Sequence, residues 1–168
     1  MSTRIPQRPY IAMLKTLHVI ASKIFKNLSG SLQWRALWLA HDKFMVGVTG
    51  VVLDNQHRIL LLKHRYWSRA SWGLPSGYIR KNETVEDAFA REVREETGVE
   101  VFNVKVVRVR SGFRLRIEVA VTAEADESAV TVHKGEVLEG AFLARNNLPL
   151  NAVLPEHLEL IDQATRGS

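Results

Sequence analysis

Apolar and polar residues follow two different periods along the chain, helical near its start and strand-like after it. Large apolar side chains recur every three or four positions over residues 9–28, which predicts an amphipathic helix. The tripeptide at 29–31, Ser-Gly-Ser, ends this helix, and a shorter helical piece with Trp34 and Trp38 on one side follows. From Phe44 onward the pattern changes to short β-rich runs.

The β-rich runs predict five strands, at residues 46–53, 58–63, 101–109, 114–123 and 137–144. Two helices are predicted among them, one after Thr84 and one at Pro155–Ala164, where the proline suits a first helical turn. Strands that surround one strong central helix and a closing helix imply an α/β fold, an α/β/α sandwich around a mixed sheet.

The central helix has clear signals at both ends. Thr84 is followed three positions later by Asp87, which is a capping pattern, and Gly98 stands where a helix ends in a left-handed residue. One apolar face should pack on the sheet, and it comprises Val85, Ala88, Phe89 and Val93.

The other face of this helix gathers carboxylates where a helix tolerates them least. Glu92 lies three and four positions before Glu95 and Glu96, and each like-charge pair at that spacing costs ~0.2–0.5 kcal/mol. Glu95 and Glu96 also lie at the negative end of the helix dipole. A divalent cation between them would explain the arrangement, and hard oxygen ligands suit Mg²⁺ or Mn²⁺.

Charge divides the chain into two parts. The net charge is +5, but residues 1–41 carry six Lys or Arg and no acid, so the remainder carries −1. We therefore expect a basic helical extension at 1–43 and a catalytic domain at 44–168. The chain has no cysteine, which excludes disulfides and thiolate chemistry and fits a cytoplasmic location.

The segment 77–99 resembles the Nudix box. Gly77 is followed after five residues by Glu83, and after seven more by the run Arg-Glu-Val-Arg-Glu-Glu-Thr-Gly-Val at 91–99, which fills every fixed position. The six residues before the box, Trp-Gly-Leu-Pro-Ser-Gly, are similar to the family's lead-in, except that Ser76 occupies the first glycine.

The resemblance implies the Nudix fold and a chemistry that the carboxylates already suggest. Nudix enzymes use divalent cations to hydrolyse a nucleoside diphosphate linked to another group. By resemblance, Glu92, Glu95 and Glu96 are metal ligands, and the Gly77 carbonyl contributes to the same site. Arg91 and Glu83 resemble the family's supporting ion pair; the alternative for Arg91 is a weak surface pair with Glu95.

The general base has two candidates. Glu92 is one, and the other is a further glutamate on a later loop, as is common in Nudix enzymes. We choose Glu136, which follows a polar loop and precedes a predicted strand. Its rivals, each with a solvated charge as the alternative, are Glu139, Glu127 and Glu118.

Substrate contacts are predicted from residues that flank the box, namely Arg65, Arg69, Arg80 and Trp72. The partner is expected to be a small-molecule nucleoside diphosphate derivative, not a nucleic acid. Nucleotide sugar, ADP-ribose and (deoxy)nucleoside triphosphate all stay open. The alternative function is a nucleotide-binding regulatory protein. His64 is interpreted as structural or loop-exposed.

The apolar face of the first helix needs a cover. Three destinations are open: the catalytic domain, a second subunit in a homodimer, or an anionic membrane surface reached through Lys15, Lys23 and Lys26. We predict contact with protein, within the subunit or across a dimer, because Trp34 and Trp38 extend the apolar surface just before the first strand.

Overall fold

A computed structural model describes residues 9–67, 71–112, 114–126, 129–132 and 135–166, with side chains from residue 14 onward. Its backbone forms two compact units, residues 1–43 and 44–168. The boundary coincides with the predicted change from helical to strand-like pattern.

The first unit contains two helices, α1 (Pro9–Asn27) and α2 (Gly30–Ala40), as the apolar spacing predicts. The Gln33 amide joins them by donating to the carbonyl oxygens of Phe25 and Leu28, at 3.0 and 3.1 Å. Most large apolar side chains described in this unit are exposed, including Leu17, Ile24, Trp34, Trp38 and Leu39, whereas Phe25 and Leu28 are half-buried. Within the described part of the chain, neither these helices nor any other is long and apolar enough to span a membrane.

The second unit is built on a seven-stranded mixed sheet. Its strands are β1 (Met45–Asp54), β2 (Ile59–His64), β3 (Trp72–Gly73), β4 (Ser76–Tyr78), β5 (Phe102–Ser111), β6 (Arg116–Ala125) and β7 (Val137–Leu143). The main order is β3-β2-β1-β6-β5, with β4 added to β1 and β7 added to β2. Strand β1 runs parallel to β6, and the remaining pairs are antiparallel.

Helices cover both faces of this sheet, which confirms the predicted sandwich. Helix α3 (Val85–Thr97) lies over one core, where Phe89 and Val93 are fully buried. Helix α4 (Pro155–Thr165) lies over the other core through Leu160 and Ile161. The central strand β1 supplies both cores, and its near-continuous apolar sequence is typical of a strand covered on each side.

The turn between β1 and β2 is fixed by one buried carboxylate. Asp54 accepts hydrogen bonds from the backbone N–H groups of Gln56 and Arg58 at 2.9 and 2.8 Å, and from Arg58 Nε at 2.7 Å. A buried carboxylate is stable here because each oxygen has a donor. This turn holds β1 and β2 together at the end where they pair, Leu53 opposite Ile59.

Two features of the sheet differ from the sequence prediction. Strand β6 begins at Arg116, two residues later than predicted, because Arg114 and Leu115 have positive φ angles of 53° and 55° and belong to the turn. The short strands β3 and β4 were not predicted, since two or three residues show no period. Strand β4 matters most, because it brings Gly77 alongside Val48 of β1.

We predict that deleting residues 1–40 lowers solubility or changes the oligomeric state, while residues 44–168 keep their fold. The reason is the exposed apolar surface of α1 and α2, since each large side chain gains ~1.5–3 kcal/mol on full burial. Size-exclusion chromatography with light scattering would measure the oligomeric state, and circular dichroism would measure whether the fold is kept. A monomeric, soluble full-length protein whose helices are unprotected from hydrogen exchange and bind only anionic vesicles would contradict the predicted protein contact.

Candidate active site

A cavity of about 520 Å³ lies where β1, β4 and α3 meet. Three carboxylates that the sequence singles out line it together, Glu92 and Glu96 from α3 and Glu136 from the residue before β7. The remaining walls include Gly77, Tyr78, Arg80, His64, Trp67, Arg116 and Glu118. The fold thus joins residues from 64 to 136 in one acidic cavity.

Helix α3 presents its carboxylates as the sequence predicts. The Thr84 hydroxyl accepts from the Asp87 N–H at 3.1 Å, and Gly98 ends the helix with a φ of 71°. These caps fix both ends of the helix, and buried Phe89 and Val93 fix its rotation. The residues that remain on its other face therefore include Glu92, Glu95 and Glu96.

Gly77 allows α3 to approach β4 closely. A Cβ atom at this position would lie 2.1 Å from Cδ of Glu92, well inside van der Waals contact. The absence of a side chain is therefore what gives the Glu92 carboxylate its place beside the backbone of β4.

Arg91 connects the loop before α3 to the carboxylates. It donates to both oxygens of Glu83, at 2.6 and 3.0 Å, and to Glu92 Oε1 at 2.7 Å. It also donates to the Tyr78 carbonyl at 3.1 Å and to Glu95 at 3.3 Å. The structure thus contains the expected Arg91–Glu83 pair, and the surface alternative with Glu95 is only one of several contacts.

The Glu83 carboxylate is held in its ionised form. Hydrogen bonds from Arg91, and next the backbone N–H of Arg80, lower its pKa to about 2. The pKa of Arg91 is raised by the same hydrogen bond to Glu83. This pair orients the start of α3 against the loop that precedes it.

Glu95 takes a different direction from Glu92 and Glu96. Its oxygens accept from the Arg80 guanidinium at 3.3 and 3.2 Å, and it is not among the residues that line the cavity. As a result, among the described residues no three His, Asp or Glu side chains are grouped closely enough to hold a metal ion in this arrangement. The carboxylates are separated because arginines neutralise two of them.

Among the described carboxylates of the cavity, Glu96 has a buried oxygen atom, Oε2, with no hydrogen-bond partner. Burial, followed by the nearby charges of Glu92, Glu136 and Glu95, raises its pKa to about 8. A divalent cation would supply both the missing partner and the missing positive charge, so the donor set fits a hard metal ion once Glu92 and Glu95 turn from their arginines.

Glu136 and its rival Glu118 both line the cavity, so the choice of Glu136 stays a prediction. The backbone carbonyl of Glu136 accepts from the Arg65 N–H at 2.8 Å. Glu139 instead lies 3.6 Å from Lys63 in a surface ion pair, and Glu118 is bonded to arginines. Glu127 lies outside the described residues.

The predicted substrate contacts are only partly brought together. Arg80 lines the cavity, whereas Arg65 is exposed and donates to the Gly135 carbonyl at 3.2 Å. Trp72 packs against the core beneath α4, because its position in β3 faces that side of the sheet. The structure therefore does not bring Arg65 and Trp72 into the wall of this cavity, and their substrate contacts stay predictions. Arg69 lies outside the described residues.

His64, interpreted from the sequence as structural or loop-exposed, lines the cavity together with Trp67. Their rings stack at 4.0 Å and 15°, and His64 Nε2 is buried without a partner among the described residues. Burial lowers the pKa of His64, although the charge of Glu136 opposes this effect. Strand alternation was the available signal, because His64 follows Leu60 and Leu62 at a spacing of two on the face that α3 covers.

Comparison with known proteins agrees with this geometry. The family model for the NUDIX domain matches residues 43–164, nearly three quarters of the chain. The chain belongs to the NUDIX domain family. Members of this family generally use divalent metal cations.

Individual NUDIX relatives share part of the chain. The NAD-capped RNA hydrolase NudC of Citrobacter koseri is 31% identical over 101 residues, which cover 60% of this chain and 39% of that protein. Nudix hydrolase 8 of Arabidopsis thaliana is 32% identical over 82 residues, or 47% of this chain and 22% of that protein. The matches thus span well under half the length of these relatives.

Solved structures show the same fold at low identity. The NUDIX domain of Shewanella oneidensis NrtR, solved with ADP ribose, has a TM-score of 0.65 at 19% identity, covering 87% of this chain and 97% of its own. A MutT/nudix family protein from Enterococcus faecalis has a TM-score of 0.68 at 18% identity, covering 89% and 73%.

We predict that Gly77→Ala lowers turnover by about 10²-fold, because the new methyl group must displace Glu92 and misplacing a reacting group by about 1 Å costs that much. Gly30→Ala is the control, since its Cβ would meet nothing within 4 Å and Gly30 is not among the residues that line the cavity. Steady-state kinetics would compare the turnover of the two variants, and thermal melts of both would show whether each is folded. Equal activities in the two variants would contradict the close packing of Glu92.

We predict that ionisation of Glu96 destabilises the metal-free protein. Its folded pKa of about 8 exceeds its ordinary 4.5, so its contribution to the free energy of unfolding is full below pH 4.5 and is lost as pH rises through 8. In EDTA, the urea midpoint of the wild type should fall relative to that of Glu96→Gln between pH 5 and 9. Added Mg²⁺ should restore the urea midpoint of the wild type at high pH. If the midpoints of the two proteins change in parallel with pH in EDTA, the prediction is contradicted.

Proposed function

We propose that this protein hydrolyses a diphosphate linkage in a nucleoside diphosphate derivative, using Mg²⁺, with Mn²⁺ as a substitute. The observation that carries the proposal is the buried, unbonded Glu96 oxygen in a cavity shared with Glu92 and Glu136. Such a carboxylate is costly unless a cation completes the site, and a cation held there favours water attack on phosphorus and stabilises the leaving phosphate.

The side chains divide the reaction between them. Glu92, Glu95, Glu96 and the Gly77 carbonyl would hold the cation. Glu136 stands outside α3 in the same cavity, so it would accept the proton of the attacking water, with Glu92 as the alternative base. Arg91 would keep Glu92 oriented through its link to Glu83.

The products follow from the bond that breaks. The oxygen of the attacking water would join phosphorus, and its proton would pass to the base. The bridging P–O bond of the diphosphate would break, so that each of the two products carries one of its phosphate groups. Arg80 lines the cavity and would pair with phosphate oxygens in exchange for Glu95. Trp67 would offer a flat surface to a base or sugar on the same side.

A second candidate is a nucleotide-binding regulatory protein. This function is favoured by the ion pairs that Glu92 and Glu95 form with arginines. Among the described residues, no group of three or more carboxylate or histidine side chains is arranged to hold a metal ion. A binder of this kind would take up the nucleotide without releasing phosphate. Metal-dependent product formation distinguishes the two functions directly.

The substrate assay should cover the open classes. Nucleotide sugars, ADP-ribose, (deoxy)nucleoside triphosphates and an NAD-capped RNA would each be incubated with Mg²⁺ or Mn²⁺, and products identified by mass. We expect the small molecules to be hydrolysed and the capped RNA to be left intact. Binding of a nucleotide without any product would favour the regulatory function.

We predict that Glu96→Gln and Glu136→Gln each lower turnover by at least ~10²-fold, through loss of metal charge stabilisation and of the base. Glu139→Gln is the matched control, because that residue lies on the surface beside Lys63 and should behave as the wild type. Rates would be measured across a Mg²⁺ titration with the best substrate. Full activity of Glu96→Gln would contradict the assignment of Glu96 to the metal site. Full activity of Glu136→Gln would contradict its role as the base and would favour Glu92 instead.

A further inference from the structure

A second cavity, of about 150 Å³, adjoins the acidic one. The two share four wall residues, Thr49, Ser76, Arg116 and Glu118. The two cavities therefore lie side by side, with these four side chains bordering both.

Three arginines line this second cavity, Arg108 and Arg110 from β5 and Arg116 from β6. Arg110 Nε donates to Glu118 at 2.7 Å, and Arg116 donates to the other oxygen of the same carboxylate. Burial raises the pKa of Glu118, but these two arginines outweigh it, so the pKa lies below its ordinary value. One ionised carboxylate thus serves two guanidinium groups.

Donors remain available after these contacts. Within the described part of the chain, Arg110 donates only through Nε, so its terminal N–H groups are unused. Arg108 has only a 3.5 Å ion pair with the exposed Glu159. A guanidinium carries five N–H donors in a planar fork, which matches the oxygens of a phosphate.

The helix geometry also favours an anion. The cavity wall carries three arginines and two acids, Glu118 and Glu156, and Glu159 outside the wall pairs with Arg108. The cavity reaches Leu154, which begins α4 without a side-chain cap, so the positive end of an eleven-residue helix adds to the field. By contrast, the described wall contains no Phe, Tyr or Trp on which a base could stack.

We propose that this second cavity binds a phosphate monoester that the substrate carries in addition to the diphosphate. The inference rests on the proposed function for the position of the diphosphate. Arg108 and Arg110 donate to the monoester oxygens, and Arg116 lies between the two phosphate sites. The substrate class is then a nucleoside diphosphate derivative with one further phosphate.

Pairs of ligands that differ by one phosphate test this directly. NADP⁺ would be compared with NAD⁺, and coenzyme A with dephospho-coenzyme A, by calorimetry on the full chain in EDTA. We expect at least ~10-fold tighter binding of the phosphorylated member of one pair, as charge-assisted hydrogen bonds imply. The pair that shows the preference identifies a 2′- or a 3′-phosphate.

The variants locate the preference in the cavity. Arg110→Gln and Arg108→Gln should each remove most of it, while affinity for the unphosphorylated member stays within about twofold. Lys105→Gln is the matched control, since it removes a positive charge from the same strand but lines a different cavity. If Arg110→Gln melts early through loss of its Glu118 contact, Arg108→Gln carries the comparison, because its ion pair is weak.

Each remaining outcome is decisive. The inference is overturned if neither pair binds, or if both members of each pair bind equally tightly. It is also overturned if the arginine variants weaken both members of a pair equally, because the cavity would then bind the part that the two ligands share. Because the readout is binding, tight and Arg108-dependent NADP⁺ or coenzyme A binding with no hydrolysis in Mg²⁺ would support this cavity and overturn the proposed hydrolysis instead.

Discussion

The repulsion among carboxylates in one cavity is the constraint on which the site depends. The Oε2 atom of Glu96 is buried, and this burial, together with the charges of Glu92 and Glu136, raises the pKa of Glu96 to about 8. The two core clusters hold this arrangement in place, because α3 is fixed to the sheet by Phe89 and Val93. Packing energy elsewhere thus maintains a local arrangement that electrostatics alone would disperse.

Two arginines reduce the repulsion among these carboxylates by forming ion pairs with them. Arg91 holds Glu83 and Glu92 at 2.6 and 2.7 Å, and Arg80 holds Glu95 at 3.2 Å. The carboxylates therefore have alternative partners when no cation is bound. Binding of a divalent ion exchanges guanidinium contacts for metal contacts, so the site is a competition between two kinds of positive charge.

Local signals predicted the frame well. The cap at Thr84, the left-handed Gly98 and the apolar spacing defined α3, and the two-residue period defined the longer strands. What the sequence did not reveal depends on contacts between distant residues. Glu95 turns to Arg80, fifteen positions earlier, and the place of Trp72 follows from a two-residue strand too short to show a period.

The arginines of β5 and β6 show a second limit of sequence patterns. Charged and apolar residues alternate toward the end of β5, as is usual for a strand with one solvated face. That Arg116 borders the acidic cavity follows only from the parallel pairing of β6 with β1.

The same pairing has a consequence for how the protein folds. Met45 pairs with Arg116 and Asp54 with Ala125, so the centre of the sheet joins segments 71 positions apart along the chain. Contacts of such long separation form slowly, because the loop entropy is lost before the pairing is gained. During synthesis α1, α2 and α3 can form from local contacts alone, whereas the edge of β1 that pairs with β6 stays unpaired until β6 has been made. This interval is when the chain is most open to aggregation.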